Sequence, residues 1–273
     1  MPKLHFNAAV EFGRELIGSG DLDPVYVAMT APGVRSATQP RCVVAYSCLY
    51  HLGASTLLAQ STGVDFWHSL TDAAVNEGLR WPRGSERRHW RGANAIRSAR
   101  YFSSNFLKPE NVVKHWISGG ESFAAVAAKV QQAPSFGPWI AFKVADLLER
   151  VLGYSIDFSD CAMGVYDEPR RSAALILTGD ADAPITNEDL TRLMSQMLQK
   201  QHLGKALAPP RRDRSVNVQE AETVLCKYKA HVNGHYPLGK DTREVLHGLR
   251  DERWDCADTR AMIRAVERLP YAS

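Results

Sequence analysis

A chain of 273 residues with 45% hydrophobic and 23% charged side chains can bury a full core and lacks the low hydropathy and high charge of a disordered segment. Its five cysteines, Cys42, Cys48, Cys161, Cys226 and Cys256, are odd in number, form no C-x-x-C pair and follow no apolar leader within Met1 to Phe6. This excludes a secreted disulfide scaffold and points to a reducing cytoplasm. The formal net charge of +3 neither requires nor excludes a polyanionic partner, because local clustering sets the field.

Taken in chain order, apolar residues recur at helical spacing, and no stretch alternates as a half-buried strand would, so the sequence predicts an all-α chain. Helices are expected near 5–18, 42–60, 65–77, 86–103, 109–117, 121–131, 138–152, 187–201, 217–231, 242–249 and 257–267. Between them lie the breakers Gly18 to Gly20, Trp81 to Ser85, Gly119 with Gly120, Pro134 to Gly137, and Gly179 to Pro184. The most apolar run, Val43 to Ala59, is interrupted by Tyr46, Ser47, Tyr50, His51 and Ser55, which predicts a buried helix and no membrane anchor. Ala173 to Leu177 fits either a strand or a helical turn. Ala206 to Arg214, with Pro209 and Pro210, is the linker candidate, and no internal repeat is present.

Charge is concentrated early in the chain. Arg80, Arg83, Arg87, Arg88, Arg91, Arg97 and Arg100 face only Glu86 as a local acid, and a second cluster comprises Lys200, Lys205, Arg211, Arg212 and Arg214. A helix capped by Ser85 places Arg87, Arg91 and Asn94 on one face. Such a face suits a phosphate, which arginine binds bidentately, and equally suits a solvated surface touching only a nucleic-acid backbone.

The segment from Pro134 to Ala141 predicts a tight turn feeding a helix whose Ile140, Val144, Leu147 and Val151 share a face. Gly137 permits an unobstructed backbone, and Pro138 suits a first helical turn, where exposed amides bind phosphate. Further on, Glu222, Cys226 and Lys229 form a stripe on one helix. An ammonium near a thiol activates it, so Cys226 is either a nucleophile or a buried structural cysteine. Gly234 to Lys240 fits the start of a phosphate loop, but Asp241 stands where Ser or Thr should follow and a helix precedes it, which rejects a nucleotide hydrolase. Lys240 remains a contact for phosphate or carboxylate, and His235 a proton carrier or solvated loop residue. No metal-ligand spacing occurs among the nine histidines and the cysteines, so neither metal nor other cofactor is expected.

The turn resembles the hairpin of helix-hairpin-helix DNA glycosylases: Gly137, Ala141 and Asp157 match that family's spacing. Ser135 replaces its first turn glycine, and Trp139 its lysine nucleophile. A closer resemblance covers about Arg41 to Asp241. The strings RCVVAYSCLYHLG (41–53), RGSERRHWRG (83–92), FGPWIAFKVADLLER (136–150) and VQEAETVLCKYKAHVNGHYPLGKD (218–241) are similar to the phage amino acid:DNA transferases, also called α-glutamyl/putrescinyl thymine pyrophosphorylases. The resemblance implies a bilobal, glycosylase-like helical domain over 1–205, with its hairpin at 134–157, and an extension over 206–273 packed on the same site. It also implies thymine hypermodification in the host cytoplasm, away from membranes. After a separate kinase phosphorylates 5-hydroxymethyluracil in double-stranded DNA, the transferase replaces the phosphate of 5-phosphomethyluracil with a free amino acid, here expected to be glycine.

That reaction sets physical demands. An enclosed site needs the nucleotide flipped from the duplex against aromatic walls, for which Trp81, Trp90, Trp139 and Tyr236 are available. A leaving phosphate needs cations, expected from Arg87, Arg88, Arg91, Lys229 and Lys240, with Tyr236 beside them. The amine needs a base, expected to be Asp157 with Asp160 and His235 as alternatives, although Asp157 equally suits a helix cap after Phe158. Gly137, Trp139, Lys143 and Arg83 are expected to meet DNA. Two other functions fit the same residues: a glycosylase that cleaves a modified base through Asp157, and a non-catalytic DNA-binding module.

Overall fold

The computed structural model describes residues 3–76, 81–84, 89–161 and 166–273, so the expectations for Arg80, Ser85, Arg87 and Arg88 lie outside the described residues. Among the described residues there is no strand; isolated bridges join Ser122 with Asp157 and Leu207 with Ser215. The helices are α1 (Lys3–Ser19), α2 (Pro24–Met29), α3 (Gln39–Leu49), α4 (Leu52–Leu58), α5 (Gly63–Val75), α6 (Gly92–Asn105) and α7 (Pro109–Ile117). They continue as α8 (Phe123–Val130), α9 (Pro138–Arg150), α10 (Asp167–Thr178), α11 (Asn187–Met197), α12 (Val218–Val232), α13 (Lys240–Leu249) and α14 (Ala257–Val266). No helix among the described residues is long and apolar enough to cross a membrane.

The chain divides into two compact units that interleave along the sequence: residues 1–27, 161–244 and 266–273 form one, and 28–160 with 245–265 form the other. Residues 206–273 therefore contribute to both.

In the first unit, α1, α10 and α12 pack around Phe12, Leu16, Ala173, Ile176, Val224, Leu225 and Tyr228, all buried. Each large apolar side chain so buried contributes about 1.5–3 kcal/mol. Gly13 allows the close approach of α1, since a Cβ there would lie 3.1 Å from Val224 Cγ1. α12 begins with a capping box, in which Asn217 caps the first turn and Glu220 accepts the Asn217 N–H at 2.8 Å. The expected linker at 206–214 is an ordered loop within this unit, closed by Ala208 N–H to Arg214 O at 2.8 Å and Val216 N–H to Ala206 O at 3.0 Å.

In the second unit, α3 is buried almost all round, as Val43 to Cys48 predict. The single helix expected over 42–60 is broken, however, because Tyr50 adopts a left-handed conformation (φ 53°) that ends α3. His51 then turns extended and caps α4, its Nδ1 accepting the Ala54 N–H at 3.2 Å. The break lets Gly84 pack against it: its N–H donates to Leu49 O at 3.0 Å, and a Cβ there would lie 2.7 Å from Tyr50 O. The helix expected from 86 begins at Gly92 among the described residues, and the unassigned run at 173–177 belongs to α10. Its five apolar residues are too few to separate strand from helix by period, and packing on α12 selects helix.

Candidate functional site

The turn between α8 and α9 is built as an anchored arch. Ser135 takes the left-handed conformation (φ 68°) at the position where a glycine was expected by pattern. Phe136 is buried edge-on to Phe102 at 5.4 Å and to His89 at 5.0 Å, and Ser98 Oγ donates to Pro134 O at 2.6 Å. Gly137 precedes α9 in extended conformation, with no atom within 4 Å of where a Cβ would be. Pro138 opens the helix without wasting a donor.

The other expected DNA contacts divide. Trp139 is half-buried and edge-on to Tyr50 at 6.5 Å. Arg91 is exposed and occupies the cap position of α6, so it does not share a helix face with Asn94. Arg83 turns inward, donating to Trp90 O at 2.5 Å and to Ala73 O, and so acts as a brace. Lys143 is only 9% exposed, on the same helix as the buried pair Asp146 and Arg150, which stand 3.5 Å apart. Of the aromatic candidates, Trp90 and Trp81 are core residues, with Trp81 Nε1 donating to Asp72 Oδ2 at 2.7 Å.

Asp157 lies after α9 and is fixed through its backbone: its N–H donates to Glu121 O at 2.7 Å, and its carbonyl accepts the Phe123 N–H at 2.8 Å. The carboxylate is exposed and accepts both the N–H and the hydroxyl of Ser159 at 2.8 Å. These two bonds hold its pKa below the ordinary aspartate value. It caps a turn over 157–160 instead of a helix, and presents a fixed negative charge to solvent. Asp160 is engaged with the start of α8, where it accepts the Ala124 N–H at 3.2 Å.

Cys226, Lys229, His235, Tyr236 and Lys240 belong to the first unit, whereas Asp157, Arg91, Gly137 and Trp139 belong to the second. The Cys226 thiol donates to the fully buried carboxylate of Glu222 at 2.9 Å, and the Lys229 ammonium pairs with Glu168 of α10 at 2.7 Å. The thiol is thus a donor to an acid, the reverse of the ammonium-activated arrangement its stripe predicts. Tyr236 is buried beneath the ammonium groups of Lys227 (5.0 Å) and Lys240 (5.9 Å), so it offers no exposed stacking face. Burial, with Asp241, Asp21 and Asp23 nearby, pushes its phenol far up. His235 is exposed, and its carbonyl accepts the Lys240 ammonium at 3.3 Å.

Sequence patterns missed Asp21. Its buried carboxylate accepts the Gly239 N–H at 2.7 Å, the Thr242 N–H at 3.0 Å and the Thr242 hydroxyl at 2.7 Å. Within the Gly234–Lys240 loop the Gly239 amide is therefore filled by the chain's own anion, and the amides of Gly234, His235, Tyr236 and Lys240 donate to backbone carbonyls. Lys227 completes the lock by pairing with Asp241 at 2.7 Å and donating to Asp21 O at 3.1 Å.

Residues 23–235 match the model of a family described as amino acid:DNA transferase. The chain is 38% identical over 257 aligned residues to a protein named glycinyltransferase from Pseudomonas phage PaMx11, covering 86% of this chain and 87% of the relative. It is 30% identical over 230 residues to a putrescinyltransferase from Delftia phage PhiW-14, covering 81% of this chain and 71% of that relative.

Proposed function

The chain belongs to the amino acid:DNA transferase family, and on that premise we propose that it joins glycine through its amine to 5-phosphomethyl-deoxyuridine in phage DNA. The similarity to a phage protein named glycinyltransferase across 86% of the chain carries this reading, because that name gives glycine as the group transferred. In the proposed step the glycine nitrogen forms a bond to the exocyclic carbon on C5. The carbon–oxygen bond to phosphate breaks, and phosphate departs with the electron pair. One proton is lost from the ammonium before attack.

The described residues support roles for one part of this chemistry. Asp157, exposed and held ionised by Ser159, pairs with the incoming ammonium and accepts its proton. The start of α9, where Gly137 leaves open space at its Cα, meets a DNA phosphate, as the proposed helix-hairpin-helix likeness of α8, the turn and α9 requires. Trp139 supplies a partly exposed ring beside a flipped base. Arg91 is exposed for phosphate, with Arg87 and Arg88 proposed beside it from sequence. Double-stranded DNA already phosphorylated on 5-hydroxymethyluracil is the proposed substrate.

Competition between donors tests the reading. With 5-phosphomethyluracil DNA and equal glycine and putrescine, nucleoside mass spectrometry should show the glycine adduct, and 5-hydroxymethyluracil DNA should stay unmodified. A putrescine adduct would overturn the donor assignment, and abasic sites would overturn the reaction.

A further inference from the structure

Positive charge in the second unit is dense from Arg80 to Lys114, and 91–118 is the part of that stretch described throughout. Residues 91–118 contain Arg91, Arg97, Arg100, Lys108 and Lys114 against Glu110, five cations less one acid, or +4, whereas the whole chain carries +3. The rest of the molecule is therefore net negative, and Glu110 is itself occupied by Arg41 at 2.7 Å. Among the described residues, Arg97, Arg100, Lys108 and Lys114 make no ion pair and are exposed. On α6, Ala93, Arg97, Arg100 and Ser104 all face solvent at the spacing of one helix side.

The same stretch carries a row of half-exposed rings. Tyr101 lies 6.2 Å from Phe106, Phe106 lies 5.2 Å from His115, and His115 Nε2 is 2.9 Å from Gln132 Oε1 in the turn before α9. Ser98 of α6 joins that turn directly through Pro134 O. At the far end stands Leu107, 79% exposed, its carbonyl held by Trp67 Nε1 at 3.4 Å. Cations interleaved with rings on one connected surface are what a polyphosphate backbone with stacked bases needs.

We propose that this surface, from the turn before α9 across α6 to Leu107, is the track along which DNA lies. Arg97, Arg100 and Lys108 take backbone phosphates, and Leu107 with the Tyr101–Phe106–His115 row lies against the sugars between them. The assignment rests on the DNA-modifying reading for the identity of the polyanion, and it is independent of the donor and the leaving group.

Binding of an unmodified duplex, measured over a range of salt concentrations, tests it. The triple variant R97A/R100A/K108A should bind at least about tenfold more weakly, with the slope of log affinity against log salt reduced by roughly 2–3. Leu107→Ser should weaken binding without changing the slope. The charge-matched variant K200A/K205A/R211A, at exposed positions of the first unit, controls for net charge and should retain both affinity and slope. Unchanged affinity and slope in R97A/R100A/K108A, or equal losses in both triple variants, would overturn the track. Loss of binding in R97A/R100A/K108A alone, with a wild-type protein that transfers nothing, would uphold the track and sink the proposed reaction.

Discussion

Asp21 and Thr242 are 221 positions apart in sequence, yet one buried carboxylate oxygen of Asp21 accepts both the amide and the hydroxyl of Thr242, at 3.0 and 2.7 Å. The other oxygen accepts the Gly239 amide, so a single aspartate closes the turn into α13. Asp21→Ala leaves those donors buried without an acceptor and should cost about 3–5 kcal/mol in urea unfolding. Asp21→Asn, which keeps one carbonyl acceptor, should cost less. Wild-type stability in Asp21→Ala would contradict the closure role.

Ser135 carries a side chain in a left-handed conformation that glycine adopts without strain. Ser135→Gly should leave stability unchanged or raise it by up to about 1 kcal/mol, whereas Ser135→Val, branched at Cβ, should lower it by about 1–2 kcal/mol. Thermal melting of the two variants should thus move in different directions, and a gain in Ser135→Val would refute the conformational argument.

Asp258 joins α14 to the segment around α3 and α4, accepting from the Arg35 N–H at 3.1 Å, its guanidinium at 3.0 Å, Thr38 Oγ1 at 2.9 Å and Gln60 Nε2 at 3.2 Å. Burial pushes its pKa up, but these donors outweigh it and hold the carboxyl at about 2, below the 3.8 of a free aspartate. Because the folded value is the lower one, the stabilisation is complete above about pH 4 and disappears as pH falls towards 2. The shift corresponds to about 2 kcal/mol at most, reduced by screening because Arg35 is largely exposed. Asp258→Asn should flatten stability between pH 4 and 2, and an unchanged slope there would contradict the assignment.

Asp157 is exposed and fixed by its backbone, so its loss should reach activity before stability. Asp157→Asn should lower transfer by about 10²–10⁴-fold with little change in melting temperature. Ser159→Ala removes the hydroxyl that holds the carboxylate ionised, and should raise the pH at which activity falls on the acid side. Full activity in Asp157→Asn would pass the role of base to another group.

The all-helical class was legible because the 3.6-residue pattern is strong, and α7 falls at the predicted 109–117. The turn before α9 was legible through Pro134, Gly137 and Pro138, which act locally. The break at Tyr50 was not, since an aromatic residue in a left-handed turn is selected by neighbours such as Gly84. Tyr236 and Arg83 looked like contact residues because basic and turn residues surround them, and Lys143 because it follows the turn, but tertiary packing buries or braces all three. Asp21 carried no local signal, because its partners lie more than 200 residues away.

Simultaneous measurement of inorganic phosphate and of ¹⁵N-glycine bound to DNA, starting from 5-phosphomethyluracil DNA, tests the central claim most directly. Replacement of phosphate by the amine predicts one phosphate released for each glycine nitrogen incorporated, with both signals falling together in Asp157→Asn. Glycine incorporation without phosphate release, or phosphate release that leaves 5-hydroxymethyluracil behind, would contradict it.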